Sequence, residues 1–428
     1  MGDGTLAAKV DYATAAYPNA VALGDLNGDG MLDIVTAGGD SSRGTVSVLL
    51  GTGEGTFAAK VDYTTGNGPS SVALRDLNGD GKLDLVVASG AANTVSVLLG
   101  TDDGKFAPKV DNPGRGNPSS VVVSDLNGDG KLDLMTANQD TNVVSVLLGT
   151  GDGKFDAGPN CSTGGSPRAV TLGDADGDGN LDLVTANYDV GTVSVLLGTG
   201  DGRFTANVDY ATGDNPVSVA LGDLNGDGKL DLVVANDQSS TVSVLLGTGD
   251  GKFAAKVDYT TGSRPISIAL GDLDGDGKLD LVTANIGASS FSVLLGTGDG
   301  RFAAKVDYAT GERPSWVALG DLNGDGKLDL AAATYAGFSS TVSVLLGTGG
   351  GKFAAKVDYT TGGLVNDANP PSAFSVALGD LNGDGKLDLV TANWSTSTVS
   401  VLLGTGGGKF AAKVDYPAGH EPLLGGAG

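Results

Sequence analysis

Short apolar runs separated by polar turns fill this chain, and residues 214–259 show the pattern well. Four runs lie in this segment: one that contains Val219 and ends at Gly222, then 230–235, 241–246 and 253–259. Each run is bounded by Gly, Asp, Asn or Pro, and several are rich in β-branched residues, which is typical of strands. None is long enough to predict a helix. The pattern therefore predicts four strands in about 46 residues.

The same pattern returns through the whole chain, marked by DLNGDGKLD or a near copy of it. The first Asp of each copy is Asp25, Asp76, Asp125, Asp174, Asp223, Asp272, Asp321 and Asp380. The spacings are 51, then 49 five times, then 59 residues. A period of this size indicates one supersecondary unit repeated eight times. Since such units bury their faces only on their neighbours, we expect a single domain over residues 1–428.

Four short strands joined by tight turns predict an antiparallel meander in each repeat. Runs such as VSVLL are apolar on both faces, as expected for a sheet packed between two others. Eight sheets arranged radially make an all-β, eight-bladed β-propeller of four-stranded antiparallel blades. An open solenoid is the alternative arrangement.

The ends of the chain favour a closed ring. The fourth-strand pattern occurs nine times, first at residues 5–12 and last at 409–416, whereas the other three strands occur eight times. We expect the N-terminal copy to complete the last blade, although the residues alone leave open which copy takes that position.

The Asp-rich loops have the composition of calcium sites. In residues 223–231, side-chain oxygens at positions 1, 3, 5 and 9 and the carbonyl of position 7 form a cage of hard ligands, and Gly228 permits the sharp turn. No soft ligand for a transition metal is present. Acidic turns without metal are the alternative, since Asp and Asn also favour ordinary turns.

One calcium ion per repeat, eight in total, is therefore expected. The predicted ligands are Asp25, Asn27, Asp29, Met31, Asp33, Asp76, Asn78, Asp80, Lys82, Asp84, Asp125, Asn127, Asp129, Lys131, Asp133, Asp174, Asp176, Asp178, Asn180, Asp182, Asp223, Asn225, Asp227, Lys229, Asp231, Asp272, Asp274, Asp276, Lys278, Asp280, Asp321, Asn323, Asp325, Lys327, Asp329, Asp380, Asn382, Asp384, Lys386 and Asp388. Asp176 and Asp274 replace the usual Asn at position 3 and should raise the affinity of their loops.

The charge of the chain follows from these loops. They hold 26 of the 51 acidic residues, and eight divalent ions would bring the formal charge from -25 to -9. An acidic balance of this kind argues against nucleic acid as a partner, because phosphate contacts need clustered Lys and Arg. No apolar run is long enough to span a membrane, so membrane insertion is not expected.

The sequence contains few residues that could act in catalysis. Cys161 is the only cysteine and His420 the only histidine, so an intrachain disulfide, histidine triads and zinc–histidine sites are excluded. The GTGDG turns before the fourth strands are interpreted as plain hairpin turns.

The DLNGDGKLD loop, the stretch VALGDLNGDGKLDLVVAN and the turn LLGTGDGKF resemble the FG-GAP or VCBS-like repeats, and are similar to repeats of the integrin α-subunit propeller. The resemblance implies a calcium-stabilised propeller that is secreted or on the cell surface, often used for adhesion or carbohydrate contact. The chain differs from integrins in its eight repeats and in having a calcium loop in each.

Loops of a meander alternate between two faces of the ring. One face holds the near-identical calcium loops and GTGDG turns; the other, which we call the variable face, holds the connections between blades and the loops between the second and third strands. Distinctive residues collect there: Tyr17, Arg115, Tyr188, Arg264, Arg313, Trp316, Tyr335, Phe338 and Trp394. Exposed aromatic residues on rigidly held loops are expected at binding sites. Drift on loops without a function is the alternative.

The predicted ligand contacts are Tyr188, Arg313, Trp316, Tyr335 and Trp394. We expect an extracellular binding module for a glycan or a surface protein. A purely structural spacer propeller is an alternative that the near-identical repeats favour. A propeller enzyme is a third possibility, for which the sequence shows no nucleophile motif.

Overall fold

The computed structural model describes residues 10–336, 339–362, 373–394 and 396–406. Within them the chain forms eight four-stranded sheets, and each pairing between neighbouring strands is antiparallel. The predicted all-β, eight-bladed propeller is confirmed. Within the described ranges, no helix is long and apolar enough to cross a membrane.

Each blade runs outward from an inner strand at the central axis, through a second and a third strand, to an outer strand. The inner strands are Pro18–Gly24, Pro69–Arg75, Pro118–Ser124, Pro167–Gly173, Pro216–Gly222, Pro265–Gly271, Trp316–Gly320 and Ala373–Gly379. The second strands are Asp33–Asp40, Asp84–Ser89, Asp133–Asn138, Asp182–Asn187, Asp231–Asn236, Asp280–Asn285, Asp329–Ala336 and Asp388–Asn393. The third strands are Arg43–Leu49, Thr94–Leu98, Val143–Gly149, Thr192–Leu196, Thr241–Leu245, Ser290–Leu294, Ser339–Leu345 and Thr398–Leu402.

The outer strands of blades 1 to 7 are Val61–Thr64, Val110–Pro113, Phe155–Ser162, Val208–Ala211, Val257–Thr260, Val306–Ala309 and Val357–Thr360. Blade 8 takes its outer strand from the other end of the chain, Val10–Ala13. The turns before the outer strands contain the short pairs Gly51–Gly53 with Thr56–Phe57 and Gly347–Gly349 with Lys352–Phe353, and a 3-10 turn, Asp102–Gly104.

The ring is closed, which excludes the open solenoid. Inner strands of successive blades contact one another all the way round, including those of blades 8 and 1. In blade 8, Val10–Ala13 pairs with Thr398–Val401, and Ser400 Oγ donates a hydrogen bond to Asp11 Oδ1 at 2.6 Å. Ser243 and Asp258 make the same bond inside blade 5 at 2.7 Å. Residues 5–9 and the second copy of this strand pattern, 409–416, lie outside the described residues.

The outer strands are shorter than the sequence predicts. The pattern predicts one strand over 253–259, but the strand begins only at Val257, and Phe253 forms an isolated bridge with Gly247. Phe253 is buried instead against the preceding blade, where its ring meets Tyr210 edge-on at 5.6 Å and its N–H donates to the Tyr210 hydroxyl at 3.3 Å. Residues 254–256 lie outside the outer strand, although the Ala254 N–H still donates to the Leu246 carbonyl at 2.8 Å.

Each boundary between blades is packed by apolar residues of both neighbours. Within the described residues, edge-on Tyr–Phe pairs recur at five boundaries: Tyr12–Phe57, Tyr63–Phe106, Tyr210–Phe253, Tyr259–Phe302 and Tyr308–Phe353. In blade 3 the Tyr position holds Cys161, which is buried and packs near Phe204 of blade 4. The core is therefore a set of eight interblade layers, each repeating the same residues.

Candidate metal centres and the variable face

The Asp-rich loops connect inner and second strands on one face of the ring, and all eight fold alike. In the loop of blade 5, Asp223 Oδ1 accepts the Gly226 N–H at 2.7 Å and Asp223 Oδ2 accepts the Gly228 N–H at 2.8 Å. Both glycines have positive φ, 74° and 80°, which side chains rarely adopt. The glycines thus let the backbone wrap around the first carboxylate.

Positions 3 and 5 complete the turn. Asn225 Oδ1 accepts the Asp227 N–H at 2.9 Å, and Asp227 Oδ1 accepts the Lys229 N–H at 3.0 Å. Asp227 also donates its N–H to Asp223 Oδ1 at 3.2 Å. These bonds restrain the side chains of positions 1, 3 and 5 against the backbone of the loop.

The Asp at position 9 has a role that the sequence did not reveal. Asp231 is fully buried, and its Oδ2 accepts the N–H of Leu224 at 2.9 Å within the loop. Its Oδ1 accepts the N–H of Gly247, the first residue of the GTGDG turn, at 2.7 Å. The equivalent bonds occur in all eight blades. Position 9 therefore ties the Asp-rich loop to the hairpin beside it.

Burial raises the pKa of the position-9 carboxyl groups. It brings the pKa of Asp33 to about 6, against the lowering effect of N–H donors from Gly51 and Leu26; the nearby carboxylates of Asp29 and Asp25 raise it further. The pKa of Asp388 is also raised to about 6, mainly by burial. Burial is the main cause of both shifts, since it disfavours the charged form of a carboxyl group.

Two of the loops bring three carboxylates together. Ligand oxygens of Asp174, Asp176 and Asp182 lie within 4.8 Å of one another, as do those of Asp272, Asp274 and Asp276. Oxygens on opposite sides of a calcium ion stand about 5 Å apart, twice the metal–oxygen distance. The two donor sets fit the ion, and both contain the Asp at position 3. The other six loops supply an amide oxygen there instead.

Lysine at position 7 lies beside these carboxylates in several loops. Lys278 Nζ is 2.5 Å from Asp276 Oδ2, and Lys327 and Lys386 make the same pair at 2.7 Å. Met31 of blade 1 and Asn180 of blade 4 replace lysine and carry no charge there. The ammonium group thus partly neutralises position 5 in loops that possess it.

The predicted ligand residues of the variable face do not form one exposed aromatic surface. Tyr335 is only 7% exposed, so it differs from the loop aromatic that the sequence predicts; it lies in a second strand, with the Arg313 guanidinium 4.6 Å from its ring centroid. Trp394 is half-buried, and its ring lies 4.6 Å from that of Tyr17 across the boundary of blades 8 and 1. Phe338 lies outside the described residues.

Tyr188 and Arg264 also have partners on this face. The guanidinium of Arg168 lies 3.5 Å from the Tyr188 ring centroid. Arg264 binds Asp237 with two hydrogen bonds, Nε to Oδ1 at 2.9 Å and Nη2 to Oδ2 at 3.2 Å. Arg168 was not among the residues predicted from the sequence; comparison of equivalent positions in the repeats would have shown it as the charged one.

Trp316 differs from the other aromatic residues of this face. It begins the inner strand of blade 7, is 49% exposed and lines a central cavity of about 810 Å³. Inner-strand residues of all eight blades line this cavity, including Arg168 from blade 4. Of the predicted ligand residues, Trp316 alone is among those that line it.

Comparison with known proteins agrees with the repeat and the ring. The FG-GAP-like repeat matches residues 25–87, 76–136, 125–185, 174–234, 223–283, 273–332 and 321–391. No curated protein matches the sequence significantly.

Solved structures of similar architecture share little sequence with this chain. The V. cholerae biofilm matrix protein Bap1 is 14% identical, with 95% of this chain and 89% of that chain covered and a TM-score of 0.53. BBS1N, in its complex with ARL6DN, is 14% identical, with 95% and 99% covered and a TM-score of 0.51. A candidate 6-phosphogluconolactonase of Bacteroides fragilis is 18% identical, with 70% and 86% covered and a TM-score of 0.51. These likenesses concern the fold. The matched repeats extend from residue 25 to residue 391, and the chain belongs to the FG-GAP-like repeat family.

Proposed function

We propose that this protein is a calcium-stabilised extracellular binding module, in which each of eight loops holds one calcium ion. The observation that carries the proposal is the convergence of Asp174, Asp176 and Asp182 oxygens within 4.8 Å, on a loop whose backbone conformation recurs in every blade. Calcium would neutralise carboxylates that otherwise repel one another, and would link the loop to the hairpin through position 9. Its role is structural.

The location and the ligand form part of the same proposal. Repeats of this family are typical of extracellular proteins, and extracellular calcium modules work at affinities of about 10⁻⁴–10⁻³ M. We place the protein in the secreted or cell-surface class, with a glycan or a surface protein bound on the variable face. Arg and aromatic side chains on this face suit either ligand.

A binding function is favoured over a catalytic one, because the chain has few side chains that could act as a nucleophile or a general base. The sequence has one histidine and one cysteine. Cys161 is buried, and burial raises the pKa of its thiol to about 11, so the reactive thiolate is scarce. The carboxylates of the loops are engaged in backbone hydrogen bonds and in the proposed metal cages.

A melting experiment tests the calcium proposal. Thermal unfolding is followed by circular dichroism in calcium, after chelation, and after chelation with magnesium added. Each site at a calcium concentration 100 times its Kd stabilises the fold by about 2.7 kcal/mol, so chelation should lower Tm strongly and calcium should restore it. Magnesium should restore less, because it demands a stricter octahedron. A Tm that chelation leaves unchanged would contradict the proposal.

A spacer propeller is the second candidate, and the near-identical blades favour it. A glycan array, run on calcium-loaded protein and repeated after chelation, separates the two functions. Calcium-dependent binding to a defined glycan supports the binding module. A blank array from folded protein supports a spacer or a protein-binding function.

A further inference from the structure

One position of the inner strand carries a small residue in the first six blades and a large one in blade 7. The position that pairs with an Ala of the second strand is Ser or Ala in the first six blades: Ala20, Ser71, Ser120, Ala169, Ser218 and Ser267. In blade 7 this position is Trp316, paired with Ala333. A small side chain therefore suffices for the fold, and the indole is an addition to the cavity wall.

The preceding position varies from blade to blade, and in blade 4 it carries a charge. Its residues in blades 1 to 7 are Asn19, Ser70, Ser119, Arg168, Val217, Ile266 and Ser315. Arg168 is the one charged residue among the described residues that line the cavity, although the chain as a whole has a charge of -25. Among the described residues of the lining there is no Asp or Glu.

Arg168 is held in place without a counter-ion. Its guanidinium lies over the Tyr188 ring, 3.5 Å from the centroid, which restrains the side chain. Among the described ranges, no carboxylate forms an ion pair with it, whereas Arg264 is paired with Asp237. Arginine presents a planar fork that matches a carboxylate. The cavity thus holds a preorganised group for an anion.

Hydroxyl groups complete the lining. Ser71, Ser120 and Ser218 are half-buried residues of the cavity wall, and the described part of the chain offers their hydroxyls no hydrogen-bond partner. They can donate to or accept from a ligand that carries hydroxyls of its own. A volume of about 810 Å³ falls in the range of small-molecule sites.

We propose that the central cavity binds a short acidic oligosaccharide, with a uronic acid carboxylate at Arg168 and the apolar face of a sugar ring against Trp316. This inference rests on the proposed binding function and names its site and ligand class. Polar serines suit the sugar hydroxyls, and the indole suits the ring face. Long polyanions are disfavoured, since the net charge of the protein repels them outside the cavity.

Calorimetric titration with trigalacturonic acid and with its methyl ester tests the inference. Calcium is kept at the same loading concentration in protein and ligand solutions. We expect the acid to bind and the ester to bind at least about tenfold more weakly, as expected when a central charged contact is lost.

The chain itself supplies the matched variants. Trp316→Ser introduces the residue found at the same position in blades 2, 3, 5 and 6, and Arg168→Ser introduces the residue of blades 2, 3 and 7. We expect Trp316→Ser to weaken binding of the acid about tenfold or more, and Arg168→Ser to remove the preference for acid over ester. Val257→Ser, which changes an exposed outer-strand residue outside both the variable face and the cavity lining, should bind like the unaltered protein. Melting curves in calcium confirm that each variant is folded.

The outcomes separate this inference from the broader proposal. The cavity site is overturned if trigalacturonic acid does not bind. It is also overturned if Trp316→Ser and Arg168→Ser both bind the acid as tightly as the unaltered protein does. If the glycan array is positive while the acid does not bind, only the cavity inference fails. If the acid binds through Trp316 and Arg168 but chelation leaves Tm unchanged, the site stands and the calcium proposal fails.

Discussion

At the scale of the residue, one side-chain exchange separates the acidic loops. The loops of blades 4 and 6 have Asp176 and Asp274 where the other six have Asn, and only these two bring three carboxylates within 4.8 Å of one another in the described residues. The extra carboxylate adds one negative charge to the group of oxygens that would bind a cation. We therefore expect two classes of site in one ring.

This expectation gives a countable prediction. A competition titration against a chromophoric chelator should show two tight calcium sites and six weaker ones, because affinity rises with the number of charged ligands. Asp176→Asn should leave one tight site, and the reverse change, Asn225→Asp in blade 5, should create a third. Eight equal sites, or no change in the count, would show that position 3 does not set the affinity.

Cys161 illustrates how burial changes a functional group. Its folded pKa, about 11, lies above its ordinary value of 9.0, since the thiolate cannot be solvated in the interblade core. The stability that the neutral thiol contributes is complete below the unfolded pKa and is lost as pH rises toward the folded value.

The same shift predicts the reactivity of Cys161. At pH 8 only roughly one folded thiol in a thousand is ionised, so a colorimetric thiol reagent should react slowly with the native protein and quickly in denaturant. Equal rates in the two states would place the thiol at the surface and contradict the burial.

At the scale of the element, the GTGDG turns do more than reverse the chain. The plain hairpin interpretation is incomplete, because in the turns of blades 1 to 7, whose residues the structure describes, the last glycine approaches a leucine of the preceding blade. A Cβ added to Gly351 would lie 2.4 Å from Leu295 Cδ2. The turn is thus part of the packing between blades.

Adjacent glycines of blade 7 allow this contact to be measured. Gly350 and Gly351 have similar φ values of 61° and 65°, but a Cβ on Gly350 meets nothing within 4 Å. Each Ala substitution should lower the free energy of unfolding by about 1–2 kcal/mol, because the residue must adopt a left-handed backbone conformation. Gly351→Ala should lower it by about 1–3 kcal/mol more, because the added methyl group overpacks the blade boundary. Denaturant unfolding in calcium measures both, and equal losses would refute the interblade role.

At the scale of the whole molecule, one strand from the start of the chain completes the ring. Val10–Ala13 forms four cross-strand pairs with the last blade, and the Tyr12 ring meets Phe57 of the first blade at 5.1 Å. This strand therefore completes the sheet of blade 8 and packs against blade 1, and so closes the ring.

Removing it should weaken the whole ring. Deletion of residues 1–13 should lower the free energy of unfolding by about 1–4 kcal/mol for the four lost pairs alone. Ending the chain at residue 413 keeps the last turn and its Phe but removes residues 414–416, which match the outer strand in the other copy of the pattern, and should leave Tm unchanged. The opposite order of effects would mean that the C-terminal copy takes the outer position.

The sequence by itself determined the number of blades, the four strands of each and the position of the acidic loops. These features are local: they depend on short apolar runs, on glycines that permit left-handed turns, and on a period that repeats in every blade. The partition of the loops into the two with Asp at position 3 and the six with Asn is likewise a property of the sequence.

The tertiary structure alone decided which distant residues meet. Position 9 of each acidic loop contacts a hairpin 16 or 18 residues further along the chain. Tyr335 is buried where the sequence predicts a loop aromatic. Trp316 of blade 7 and Arg168 of blade 4 line one cavity. A pattern along the chain records which face of a strand is apolar, but closing the ring sets the distances between blades. The acidic loops could therefore be predicted, whereas the cavity that we propose as the ligand site could not.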